Sequence, residues 1–162
     1  MKNNTKIFYG EFIGSCFLVM IIVGSGIMAQ NLTEDIAVML IANTLATGAG
    51  LFVLITSIGD ISGAHFNPIV TLAMYFTNKI KKNLILTYIS AQILGCMLGV
   101  MLANFMFDLP LLQLSEKVRP GINIFTAEII ATFGLVFVIF GSLKSGKLAV
   151  ASSVATFITA GY

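Results

Sequence analysis

Two groupings of residues in this sequence could do chemistry, and both lie in strongly apolar surroundings. One is the stretch ISGAHFNPIV, Ile61 to Val70, which holds the single His of the chain and one of its three prolines. The other is a pair of acidic residues, Glu11 and Glu128, each set within a long hydrophobic run. An imidazole near a carboxylate, here His65 near Asp60, can serve a metal or a proton transfer. A metal site needs further ligands at close spacing, and no second His exists. No Ser–His–acid set and no paired carboxylates complete a catalytic arrangement. The sequence therefore predicts neither an enzyme nor a bound metal or cofactor, and His65 reads as a buried, loop-bracing residue beside an inner vestibule. Cys16 and Cys96 read as small packing residues, since their number and position give no disulfide framework.

The Asn-Pro step has a mechanical meaning. Asn is a good N-cap, and Pro suits the first helical position, where its missing N–H costs nothing. Asn67 and Pro68 thus open a helix through NPIVTLAMYF, a run of ten residues that reaches only ~15 Å at 1.5 Å per residue. Gly63 and Ala64 allow the preceding chain a tight approach. The N-terminal end of such a helix carries about half a positive charge. Together with the Asn67 amide it offers donors to a passing oxygen and repels cations, a means by which pores exclude protons and cations. An Asn-Pro opening an ordinary cytoplasmic helix is the plainer alternative, and the flanking elements decide between the two.

Those elements are membrane spans by composition and length. The chain of 162 residues is 57% hydrophobic and 10% charged, with a mean hydropathy of +0.98, where soluble domains carry about 25% charged residues. Apolar runs at Phe8–Ala29, Ile36–Ile58, Leu84–Phe107 and Ile122–Leu143 give 22, 23, 24 and 22 residues, against the roughly 20 needed to cross a bilayer core. A fifth run, Leu148–Tyr162, has 15. With the N-terminus in the cytoplasm, Lys2, Lys6, Lys79, Lys81, Lys82, Lys144 and Lys147 lie inside, and only Lys117 and Arg119 lie outside. That asymmetry satisfies the positive-inside rule. A cleaved leader over Met1–Ala29 is disfavoured because its apolar core would be too long and would hold Glu11. No basic patch with interleaved aromatics points to nucleic acid; the expected partner is the lipid bilayer.

Within this frame, Gly59–Lys82 is too apolar for a cytoplasmic loop. A re-entrant half-helix at about 67–77, dipping to mid-membrane and returning, fits the lengths. Irregular backbone at that depth must be buried in protein or line a watery cavity. The chain also repeats itself: EFIGSCFLVMIIVGS at Glu11–Ser25 and EIIATFGLVFVIFGS at Glu128–Ser142 share seven of fifteen positions at an offset of 117. The two copies run in opposite directions across the membrane, the inverted repeat of many transport proteins. Glu11 and Glu128 are costly in lipid and hence site candidates. A proton relay and a structural acceptor compete, and the second is favoured because re-entrant backbone leaves donors in need of a buried partner. Gly10/Gly14 and Gly95/Gly99 are G-x-x-x-G pairs suited to close helix packing.

SGAHFNPIVTLA closely resembles the first signature of the aquaporin and glycerol-facilitator (major intrinsic protein) family. The resemblance continues in a Glu in each of spans one and four, in AQILGCMLG at Ala91–Gly99, and in the order of spans. EFIGSCFLVMIIVGSGIMA and ANTLATGAGL resemble a bacterial subgroup associated with small neutral solutes, including arsenite. The resemblance implies an all-α membrane protein of the aquaporin-like bundle type and a passive channel for water or small uncharged solutes such as glycerol. It implies a homotetramer in a bacterial plasma (inner) membrane. It also implies that Asn67 donates to permeants at the pore centre, that Pro68 opens the half-helix, and that Gly63, Ala64 and His65 shape the vestibule. Glu11 and Glu128 would brace the re-entrant loops. Family spacing places Thr47 at the outer constriction, where water-selective members usually carry an aromatic ring, and a weaker match adds Ala160. Ile69 stands where the family usually has Ala. The 117-residue offset puts a second Asn-Pro near position 184, beyond Tyr162. The expectation is therefore five of six spans and one of two half-helices, with a non-conducting truncated fragment as the alternative to a channel.

Overall fold

The computed structural model describes residues 3–113 and 121–162; Lys2, Lys117 and Arg119 lie outside the described residues. Six α-helices follow one another: α1 Asn3–Leu32, α2 Ile36–Ser62, α3 Pro68–Phe76, α4 Ile85–Met106, α5 Ile122–Ser142 and α6 Lys147–Ala160. Single 3-10 turns precede α4 and join α5 to α6, and no strand occurs among the described residues. The regions of α1, α2, α4 and α5 are long and apolar enough to cross a membrane, whereas α6 is shorter.

The first two helices run beyond their apolar runs, whereas α4 and α5 stop within a residue of theirs. α1 begins at Asn3 rather than Phe8 and continues to Leu32, and α2 continues past Ile58 to Ser62. Backbone hydrogen bonding does not stop where the apolar residues stop. Polar residues such as Thr5 and Asp60 prolong the helices until a cap or a left-handed residue intervenes. α2 is capped by Asp35, whose carboxylate accepts from the N–H groups of Ala37 (2.8 Å) and Val38 (3.3 Å). It ends at Gly63, φ 96°, whose N–H returns to the Gly59 carbonyl. α6 ends at Ala160, two residues short of the apolar run that contains it.

α1 is the central strut, packed on both α2 and α4. Its seam with α4 depends on two absent side chains. A Cβ at Gly95 would strike the carbonyl oxygen of Phe12, and one at Gly99 the carbonyl of Cys16. Backbone therefore meets backbone at two points one turn apart. α2 lies against α6, α6 against α5, and the short α3 is held between α4 and α5. The buried core joins Leu51, Leu54 and Ile55 of α2 to Val70 and Met74 of α3, Ile139 of α5 and Val154 of α6, with Phe66 among them. Facing outward, Leu45, Leu86, Phe105 and Phe133 are exposed. Apolar on the outside as well as within, the bundle has lipid as its natural solvent.

Candidate functional site

The site is built on the link between α2 and α3. After Gly63, the residues Ala64 (φ 51°) and Phe66 (φ 49°) adopt left-handed backbone, a region that costs residues with a Cβ about 1–3 kcal/mol each. Something must hold them there, and it is Glu11. Its side chain is fully buried. Oε1 accepts from the Ser62 hydroxyl (2.6 Å) and the His65 N–H (3.0 Å), while Oε2 accepts from the Phe66 N–H (2.8 Å) and Gln92 Nε2 (2.8 Å). The Ser62 hydroxyl oxygen in turn accepts from the Ala64 N–H at 3.1 Å. A carboxylate suits this position because its two oxygens offer about four lone-pair sites and require no proton of their own.

A second layer ties the turn to α3 and α4. Thr71 donates to the Asn67 carbonyl and receives Gln92 Nε2, both at 3.1 Å, and His65 Nδ1 stands 3.1 Å from the same hydroxyl. The His65 ring stacks on Tyr88 with centroids 4.4 Å apart, and the Tyr88 hydroxyl donates to the Ser62 carbonyl. Asn67 caps α3: Oδ1 accepts from the N–H groups of Ile69 (2.7 Å) and Val70 (3.3 Å), and Pro68 holds the first helical position. With Oδ1 occupied, the Asn67 amide has its two N–H donors to offer.

Those donors border two cavities. The first, about 230 Å³, is lined by Gly63, Ala64, His65 and Asn67 and also by Thr47, Leu51, Ile139 and Tyr162. Thr47 lies on α2 and Gly63 is its C-cap, sixteen residues on (63 − 47), so the cavity follows that helix for about 24 Å. Its wall is mostly aliphatic, with polar groups at Thr47, Tyr162, Asn67 and His65. The second is a wider cleft of about 750 Å³ between α5 and α6 that shares Asn67, Leu135, Ile158 and Tyr162 with the first. Such a geometry can pass or hold a small neutral molecule with oxygen atoms. Among the described residues no three His, Cys, Asp or Glu side chains gather as a metal site would require.

The expected residues are not all gathered in one place. Gly63, Ala64, His65, Asn67 and Thr47 share the first cavity, whereas Pro68 and Ile69 are exposed and line neither cavity. Thr47 is buried, and its hydroxyl meets Asn43 Oδ1 and the Tyr162 hydroxyl, each at 3.2 Å. Ala160, expected beside Thr47, stands exposed at the end of α6; Tyr162 takes that place and also donates to Asn43 at 2.5 Å. Glu128 departs from the buried setting expected of it. It is exposed on α5 and faces the wide cleft, where no described residue offers it a donor. Thr71, Gln92, Ser62, Tyr88 and Asn43 are the residues that sequence reasoning passed over. Gln92 carried a usable signal, being an amide in the middle of a predicted span.

Apolar helices around a fully bonded carboxylate and a short capped helix define an integral membrane protein with polar groups bordering an internal cavity. The major intrinsic protein family profile matches residues 1–160, and the chain belongs to that family. It is 45% identical to the aquaglyceroporin AqpS of Rhizobium meliloti (strain 1021), over 94% of this chain and 65% of that protein. It is 37% identical to aquaporin NIP3-1 of Arabidopsis thaliana, over 80% of this chain and 42% of that one. The chain thus spans about two thirds or less of these relatives' lengths. Among solved structures, the aquaglyceroporin from Plasmodium falciparum superposes with a TM-score of 0.83 at 23% identity, covering 97% of this chain and 71% of that one. That likeness shows the fold.

Proposed function

We propose that this chain forms the pathway of a passive channel for water and small uncharged solutes, glycerol and undissociated arsenite among them. The observation that carries the reading is the Asn67 end of α3. Its amide donors, freed by the capping role of Oδ1, border an otherwise aliphatic cavity that continues along α2 to Thr47. A neutral oxygen-bearing molecule gains a hydrogen bond there, whereas a cation meets the positive end of a helix. The relatives named aquaglyceroporin and aquaporin support the same reading. In this account Glu11 is the structural brace of the turn, Thr47 sets the width of the far mouth, and Gly63, Ala64 and His65 shape the near one. Ile69 lends its N–H to the Asn67 cap, and its side chain stays outside both cavities. Glu128, on the repeat-related helix, is a second carboxylate available to accept donors.

A proton-coupled transporter using Glu11 as carrier is disfavoured. All four acceptor positions of Glu11 are taken by donors, so taking up a proton would break a bond that holds the turn. The assembly we propose is a homotetramer in a bacterial inner membrane with a cytoplasmic N-terminus. Its orientation is supported by Asn4, Asp60, Lys79 and Lys81 lining one polar cleft and by the Lys147–Asp60 ion pair, which gather charged residues at one end of the bundle. Stopped-flow light scattering on proteoliposomes tests the function. Water and glycerol flux above that of empty vesicles, insensitive to a proton gradient, is the expected result. Absence of both fluxes overturns it.

A further inference from the structure

We infer that Thr71 and Gln92 hold His65 in the tautomer with Nδ1 protonated, so that the imidazole turns a bare Nε2 acceptor toward the cavity. The consequence for permeants rests on the channel reading above; the tautomer itself does not. A threonine hydroxyl has one proton to give and two lone pairs to receive. Three partners stand 3.1 Å from that of Thr71: the Asn67 carbonyl, Gln92 Nε2 and His65 Nδ1. The carbonyl can only accept, so it takes the hydroxyl proton.

Gln92 can only donate in this setting. Its amide nitrogen also lies 2.8 Å from Glu11 Oε2, and turning the amide over would press its carbonyl oxygen against a carboxylate. The amide keeps this orientation although Oε1 then has no partner among the described residues. One lone pair of Thr71 remains, and it faces Nδ1. With a proton on Nδ1 the hydroxyl makes three hydrogen bonds; with the proton on Nε2 it must turn toward His65 and makes two. Buried polar groups settle in the arrangement that satisfies more of them.

The ring cannot escape by turning over, because a flip replaces Nδ1 by a carbon and abandons Thr71. Stacking on Tyr88 fixes its plane. Nε2 forms no hydrogen bond with a described residue, and His65 is among the residues that line the cavity. Two residues further on, Asn67 contributes donors to the same cavity. An acceptor and a donor in sequence match a hydroxyl group, which is both. Water and polyols are served at each station, and an anion or a bare cation at one only. His65 is thus a specificity-determining residue and Thr71 its positioning residue.

The chain has one His, so 15N-histidine labelling of the protein in lipid bilayers reports a single ring by solid-state NMR. The expected spectrum has the protonated nitrogen at Nδ1 and the unprotonated one at Nε2; the reverse assignment overturns the proposal. Thr71→Val is expected to move the proton toward Nε2, and Thr71→Ser to leave it in place. Should Thr71→Val not fold, the assignment in the unaltered protein still decides. In proteoliposomes Thr71→Val should lower glycerol flux roughly two- to tenfold, the scale of one hydrogen bond, with Thr71→Ser close to the unaltered protein. A shifted tautomer with unchanged flux refutes the acceptor role. A protein that conducts nothing yet shows Nδ1 protonated refutes the channel reading and upholds the tautomer.

Discussion

Replacing Glu11 by Gln changes one oxygen into an NH₂ group and tests the whole account of the turn. The amide oxygen can keep one pair of donors, either Ser62 and the His65 N–H or the Phe66 N–H and Gln92. The other pair then faces a donor. Each buried donor left without an acceptor costs about 1–3 kcal/mol, so two of them put Glu11→Gln at about 2–6 kcal/mol. Glu11→Ala leaves all four without an acceptor and should be worse. Glu128→Gln, on an exposed residue with no donor among the described residues, should stay within about 0.5 kcal/mol of the unaltered protein. The chain has no Trp, so far-ultraviolet circular dichroism during dodecyl sulfate titration in mixed micelles is the suitable measurement. Glu11→Gln unfolding within about 0.5 kcal/mol of the unaltered protein would refute the reasoning, because a bystander carboxylate shows that behaviour.

Three further substitutions bracket the architecture. Gly14→Ala places a methyl group 2.0 Å from the edge of the Phe66 ring and should destabilise by about 1–3 kcal/mol through overpacking, read in the same titration. Lys147→Ala breaks an exposed ion pair with Asp60 and should cost no more than about 1 kcal/mol, with the difference vanishing in high salt. Thr47→Phe sets a ring into the far end of the cavity. Stopped-flow traces should show glycerol flux falling at least about tenfold more than water flux, the discrimination that a change in pocket size typically gives.

Much of the architecture can be read from composition, because lipid leaves so few options. Apolar runs of spanning length must become helices, and the Asn67–Pro68 step marks a helix start by its own chemistry. What holds the turn is less legible. Three of the groups around Glu11 are the N–H donors of His65 and Phe66 and the hydroxyl of Ser62. Every residue but proline has a backbone N–H, so the sequence cannot say which ones will need an acceptor. Left-handed backbone at Ala64 and Phe66 is similarly silent, since neither residue favours it. Thr71 and Gln92 lie on different helices, 21 residues apart, and each taken singly reads as a polar residue on a packed face. Tyr162 reached Thr47 across a separation of 115 residues, and no local pattern announces a meeting at that range. The same limit applies to Glu128: a repeat matches residue types and does not supply the neighbours that would bury them.

The separations within the Glu11 cluster also impose an order of assembly. Ser62, His65 and Phe66 follow Glu11 by 51, 54 and 55 residues, and Gln92 by 81. At a ribosomal pace of about 5–20 residues per second, the first donors are made roughly 3–10 s after the carboxylate, and the last roughly 4–16 s after it. During that interval the first helix carries an acidic group with none of its eventual partners, an expensive cargo for the hydrocarbon layer. Its final seating must therefore wait for the fourth helix, so insertion of the amino-terminal segment is completed by chain that has not yet been made when it begins.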